Sequence, residues 1–196
     1  MSRKIDHIVY AVTDLDAACA ELEKHLGVAP VPGGVHEHEG TYNALLNLGD
    51  GAYLEVIAKL KDRERPAGGT WMGMDWVTYP QLNRWCLKSE QLDVDQQIVQ
   101  AYHPEHGKII EGSRKTPDGE LLRWRMLKPL PYPSVELMPF AVDWSASAFH
   151  PTDRLPEQVR YYGFEHWHTA PQRMKMAIPG LGLHMRVYKG AATKIR

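Results

Sequence analysis

The feature that most constrains this chain is a succession of strand, helix and hairpin strands that occurs twice, roughly 75 to 80 residues apart. Ile5 to Val12 carries the β-branched and aromatic content of a strand. Thr13 follows as a helix N-cap with Asp16 at capping-box spacing. Leu15, Cys19, Leu22 and Leu26 then form one apolar stripe, which Gly27 ends. Thr41 to Leu48 and Ala52 to Ala58 read as strands joined by the turn Gly49-Asp50-Gly51, with a short extra strand near Val35. The second copy begins at Arg84 to Lys88, with Ser89 as N-cap and a weaker stripe of Leu92, Gln96, Val99 and Tyr102. Lys108 to Glu111, Leu121 to Met126 and Glu136 to Trp144 complete its strands, with a β-turn at Thr116-Pro117-Asp118-Gly119. Without gaps, the two openings align so that Leu15 lies over Leu92 and Asp16 over Asp93. A third echo starts at Phe164-Glu165-His166 and runs through Met174, Met176 and Ile178.

The organisation expected is a first module at 1–62, an inter-module segment rich in Trp, Met and Gly at 63–80, and a second module at 81–151. Residues 152–196 form a C-terminal extension, read either as a partial third module or as a cap.

Composition narrows the function classes. Lys plus Arg is 23 and Asp plus Glu is 24, so there is no basic excess for nucleic acid. Charged residues at 24% and hydrophobic residues at 43% are globular values. No stretch approaches the run of about 18 apolar residues that a membrane span needs. The start, Met1 to His7, has no apolar segment of a signal peptide, so a cytoplasmic protein without membrane or nucleic-acid partners is expected. Cys19 and Cys86 read as small buried hydrophobes. There is no GxGxxG or P-loop, hence no nucleotide cofactor, and no GxSxG or HExxH. The 10 histidines raise the question of metal or acid–base chemistry.

Particular residues then point to a family. Asp6-His7-Ile8-Val9, Asp14-Leu15-Asp16-Ala17-Ala18, Gly27-Val28 and Pro32-Gly33-Gly34 resemble the opening of glyoxalase-like domains of the vicinal oxygen chelate superfamily. Gly40 to Leu45, Leu48-Gly49-Asp50-Gly51 and Tyr53 to Ile57 extend the likeness, as do Arg114 to Gly119, Leu122-Arg123-Trp124, Pro139 to Trp144 and His150-Pro151. The resemblance implies an α+β fold of paired βαβββ modules whose curved mixed sheets form a cleft. It also implies a homodimer and a small-molecule ligand. Lyases, isomerases, dioxygenases and non-catalytic binders all occur in the superfamily.

In this family, metal ligands come from the first and last strands of each module. Carried over, His7 and Glu55 are the metal ligands and catalytic pair, for one divalent ion of Mn, Fe, Ni or Zn. Read from the residues alone, the pair is equally a general base with its orienting partner, or a structural hydrogen bond. In the second module Arg84 stands over His7 and Phe140 over Glu55, and neither completes a ligand set. Arg84 then either neutralises a carboxylate or phosphate of the substrate or pairs with Glu55. Thr41 and Asn43 share one strand face and, with Arg84 and Phe140, are the substrate-contacting residues expected. His36 and His38 fit a solvated loop or edge strand, or a metal grip. Trp71, Trp76, Met72 and Met74 wall a pocket or pack the core, and His166 and His168 bracket Trp167. The expectation is a glyoxalase-like enzyme acting on a compact oxygenated substrate. The alternative is a protein that sequesters a small molecule without metal.

Overall fold

The structure is a computed structural model and describes residues 4–116, 118–132, 136, 138–156, 174–178 and 183–187. In the first half, β1 (Ile5–Val12) leads into α1 (Leu15–Leu26), then β2 (Val31–His36), β3 (Thr41–Gly49) and β4 (Ala52–Lys59). A 3₁₀ segment, Trp71–Trp76, follows. The second half has β5 (Gln81–Lys88), α2 (Leu92–Tyr102), β6 (Lys108–Lys115), β7 (Leu121–Lys128) and β8 (Phe140–Asp143).

These strands form one sheet in the order β2-β3-β4-β1-β5-β8-β7-β6. The order is its own mirror: β1 runs parallel to β4 and β5 parallel to β8, while β1 and β5 pair antiparallel at the centre. The repeat in the sequence is therefore a pseudo-twofold in the sheet. The two outer strands approach each other, since Arg114 of β6 donates to Gly33 O of β2. The sheet thus curls into a cleft, with α1 and α2 outside it.

Alternation decides what faces where. Val9, Ala11, Ile57, Cys86, Met126, Phe140 and Val142 pack the cleft face with Trp71, Met72 and Met74. Leu92 and Val99 of α2 pack with Leu127 and Ala141 on the opposite face. The turn between β3 and β4 has Asp50 and Gly51 at φ 51 and 73, the geometry that favours Asp-Gly there.

The structure moves both expected helix caps. Asp14, not Thr13, caps α1, because its carboxylate reaches Ala17 N at 3.1 Å. Gln91 occupies the N-cap of α2, and Ser89 Oγ instead meets buried Asp95 at 2.5 Å while accepting from Gln91 N. Tyr102 is 52% exposed, so the α2 stripe consists of Leu92, Asp95 and Val99. A separate unit contains β9 (Met174–Ile178) paired antiparallel with β10 (Leu183–Val187). Met174, Met176 and Ile178 lie on β9, while Phe164, His166, Trp167 and His168 lie outside the described residues. No helix among the described residues is long and apolar enough to cross a membrane.

Candidate functional site

At the floor of the cleft, register brings the first module's polar residues together. Tyr53 pairs with His7 and Glu55 with Val9 across β1 and β4, so His7, Val9, Tyr53 and Glu55 share one face. Leu45 pairs with Glu55, which adds Asn43 to that face. All four polar residues are buried. Glu55 Oε2 comes within 3.6 Å of His7 Nε2. Asn43 Nδ2 donates to Glu55 Oε1 at 2.6 Å, which leaves Oε2 for the cleft. Tyr53 stacks on His7 at 4.7 Å between ring centroids, and burial holds its hydroxyl well above its ordinary pKa.

Behind His7 stands Asp6, fully buried. Strict alternation would send Asp6 to the opposite face from His7. A register irregularity between Ile5 and His7 undoes that alternation. Asp6 Oδ1 lies 2.6 Å from His7 Nδ1. Its Oδ2 lies 2.9 Å from His150 Nε2 and accepts from Trp144 Nε1 at 3.1 Å. Thr152 N–H donates to His150 Nδ1, so the His150 proton is on Nε2 and goes to Asp6. Burial opposes ionisation of Asp6, but the bonds from His150 and His7 outweigh it and hold its pKa at about 2. An ionised Asp6 accepts a hydrogen bond from His7 Nδ1–H and leaves the Nε2 lone pair turned toward Glu55.

The donor set fits half of a metal site. A metal ligand Nε2 backed by a carboxylate on Nδ1 is a recurrent arrangement, and 3.6 Å between Nε2 and Oε2 spans an ion about 2.1 Å from each. Asn43 Oδ1 is a further buried oxygen with no hydrogen-bond partner among the described residues. Asp6, His7 and Cys86 also bring one ligand atom each within 4.8 Å of one another. That trio is the weaker candidate. Asp6 is committed to three donors, and burial holds the Cys86 thiol protonated, well above its ordinary pKa.

At the positions that mirror His7 and Glu55, the second module supplies no ligand. Val9 pairs with Glu55 and Cys86 with Phe140, so a phenyl ring stands where the mirror carboxylate would be. Phe140 is fully buried and packs edge-on against His7 at 5.2 Å. Arg84 is not brought to the cluster. Its guanidinium donates to Asn83 O at 2.8 Å and Leu130 O at 3.2 Å, and it does not line the cavity. Backbone carbonyls thus engage the charge that sequence parity aimed at the cleft. Thr41 is likewise off the cavity wall: it meets His36 Nδ1 at 3.0 Å and orients that ring. His36 ends the edge strand β2, and burial lowers its pKa. His38 is exposed at the rim, so the two do not form a shared metal grip.

The cavity above this floor measures about 620 Å³, within the range of small-molecule sites. Trp71, Met72, Trp124 and Trp144 provide its apolar side, and Arg114, Arg123 and Arg125 its cations. Trp76, by contrast, is 59% exposed. Sequence reasoning gave no role to Asp6, His150 or Arg114. The one signal in the sequence was the Asp6-His7 dipeptide itself.

A paired βαβββ sheet curled around a cavity with a histidine and a glutamate on its floor defines a vicinal oxygen chelate protein. The chain belongs to the glyoxalase-like domain family, whose model matches residues 5–178. Among solved structures, a hypothetical protein from Staphylococcus aureus shares the fold at 16% identity and a TM-score of 0.64, over 98% of this chain and 88% of that one. Methylmalonyl-CoA epimerase from Mycobacterium tuberculosis is similar at 21% identity and a TM-score of 0.45, over 71% of this chain and 86% of that one. A Streptomyces coelicolor variant of that epimerase, in complex with 2-nitronate-propionyl-CoA, aligns at 18% identity and a TM-score of 0.49, over 75% and 98%. No curated protein matches the sequence.

Proposed function

We propose that this chain is a glyoxalase-like enzyme acting on a compact oxygenated small molecule in the cavity, with lyase, isomerase or dioxygenase chemistry in that order. The supporting observation is the 3.6 Å approach of His7 Nε2 to Glu55 Oε2, backed by buried Asp6 on Nδ1. Two lone pairs facing each other call for a cation or a proton between them. One divalent metal (Mn, Fe, Ni or Zn), held by His7 and Glu55, would polarise a carbonyl or enediolate oxygen. The rest falls to the chain's own residues. Asp6 fixes the His7 tautomer, Asn43 pins one oxygen of Glu55, and Trp71, Trp124 and Trp144 shield the bound molecule from water.

Metal analysis of untagged protein tests this reading. Near-stoichiometric metal, lost in His7→Ala and in Glu55→Ala, is the expected result. Protein that remains metal-free after reconstitution with each of the four ions sinks the metal-assisted reaction. A second reading, sequestration without chemistry, is favoured by the mirror positions, where Arg84 and Phe140 offer no ligand. It requires a metal-free His7→Ala variant to bind the small molecule as well as the unaltered protein does.

A further inference from the structure

Three arginines line the cavity: Arg123 and Arg125, like Glu111, sit at the alternate positions of β7 and β6, and Arg114 is the one on the cleft face. Of the acidic side chains on its wall, Glu37 pairs with Arg63 at 2.7 Å and Glu39 with Lys128 at 3.4 Å. Glu55 is held by Asn43 and faces His7. Arg114 makes no ion pair among the described residues: its hydrogen-bond partner is Gly33 O, and the charge of Glu55 acts on it only at longer range. A guanidinium has five N–H donors in a fork that matches a carboxylate. Alternation along β6 puts Arg114 on the same face as Ile110 and Gly112, which is the cleft face. It is half-buried there, and taking a charge partly out of water without a counter-ion is costly. An anion entering the cavity would relieve that cost.

The wall beside Arg114 is built flat. Gly112 pairs with Trp124 across β6 and β7, and a Cβ at Gly112 would lie 2.7 Å from Trp124 Cζ2 and closer still to two other ring atoms. Only a residue without a side chain lets the indole lie across the sheet in this way. Trp144 stands 5.5 Å from Trp124 between ring centroids and is anchored through Nε1 to Asp6, so its ring position is fixed by the same hub that orients His7. An aromatic wall of this kind gains from offset stacking with another π system.

We propose that the ligand of this cavity is a flat aromatic or conjugated carboxylate, with its ring against Trp124 and Trp144 and its carboxylate on Arg114. This rests on the reading that the cavity is the substrate site, and it names the substrate class. It gives Arg114 the anion-binding task for which Arg84 has the right strand parity but the wrong surroundings.

Calorimetric titration of the full chain with 2-naphthoate, 2-naphthalenemethanol and cyclohexanecarboxylate tests it. Naphthoate is expected to bind at least about tenfold more tightly than either of the others. The preference for acid over alcohol should vanish in Arg114→Gln and survive in Arg114→Lys. The preference for the flat ring should fall in Trp124→Leu. Alcohol binding as tightly as acid, no naphthoate binding at all, or an acid preference that survives Arg114→Gln in folded protein would overturn the proposal. His7→Ala separates the two readings. Retained naphthoate preference in a protein found to lack metal keeps this proposal and drops the metal. Bound metal without naphthoate preference does the opposite.

Discussion

Replacing Asp6 by Asn tests the hub at the site more sharply than removing His7 does. The carboxylate is a pure acceptor that serves three donors, His7 Nδ1, His150 Nε2 and Trp144 Nε1. An amide has one acceptor oxygen and one donor group. With its oxygen toward His150 and Trp144, its NH₂ faces His7 Nδ1, and His7 must carry its proton on Nε2 instead. That N–H then points at Glu55, and the lone pair that would hold a metal is gone. Loss of such a supporting partner typically lowers metal affinity about 10–100-fold. The stability effect follows from the Asp6 pKa, held at about 2 against an ordinary 3.8. A depressed carboxylate pKa contributes stability that is present above the unfolded value and is lost as pH falls through the folded one. The difference, 3.8 minus 2, at 1.36 kcal/mol per pH unit, gives about 2.4 kcal/mol. Exchanging charge-assisted hydrogen bonds for the weaker ones of a neutral amide adds a pH-independent cost of about 1–3 kcal/mol, so the pH-dependent part is the readout. Urea unfolding of both proteins from pH 7 to pH 2.5 should show a gap that is constant down to about pH 4 and then narrows by about 2 kcal/mol. A gap that does not change with pH would refute an ionised Asp6 at the hub.

Gly112→Ala should destabilise by about 1–3 kcal/mol in thermal unfolding, because the new methyl meets the Trp124 ring and nothing but a ring shift relieves it. An unchanged melting temperature would show that the indole does not lie over Gly112. Gly27→Ala, at φ 76 with open space around it, should cost about 1 kcal/mol and leave metal content untouched. Asp75 is opposed by burial but held well below its ordinary 3.8 by Thr70 N–H, Lys59, the Thr70 hydroxyl and Arg65. Its stabilising contribution should be full at neutral pH and erode as the pH falls from about 4 toward the depressed value, so Asp75→Asn should unfold at a lower temperature than the unaltered protein at pH 7 and the difference should begin to narrow at pH 3.

How much of this was legible in the sequence depends on the range of the interaction. The strands came through because each alternates or runs apolar over a few residues, and the pairing of His7 with Glu55 came through because both sit on that alternation. The hub did not. Asp6 is invisible to a period of two, since the register irregularity at the start of β1 turns it toward the histidine beside it. Its other partners are 138 and 144 residues away, and no local pattern announces a contact at that range. Arg84 failed for the converse reason. Its parity was right, but Asn83 O and Leu130 O, from its own strand and from a Pro-rich stretch, engage its donors. The caps shifted by one and two residues because several neighbouring polar residues compete for the same backbone N–H groups.

The pseudo-twofold explains why the site is lopsided. Two equivalent modules once aligned would offer two equivalent polar floors, but the residues at the mirror positions have diverged in kind. Module one keeps imidazole, carboxylate and amide on β1, β3 and β4. Module two puts a phenyl ring at the mirror of Glu55, edge-on against His7, and places its polar groups elsewhere: Trp144 and His150 brace Asp6, and Arg114 faces the cavity from the far edge strand. The two halves therefore divide the work. One presents the imidazole and the carboxylate, and the other supplies the aromatic wall, a cation and the bracing that orients His7. A second full ligand set would have occupied the same floor with charge and left no apolar surface against which a flat ligand could stack. The phenyl ring of Phe140 and the indole wall are thus parts of one arrangement, in which removing Trp124, which touches neither Asp6 nor His7, should weaken ligand binding before it alters the His7–Glu55 geometry.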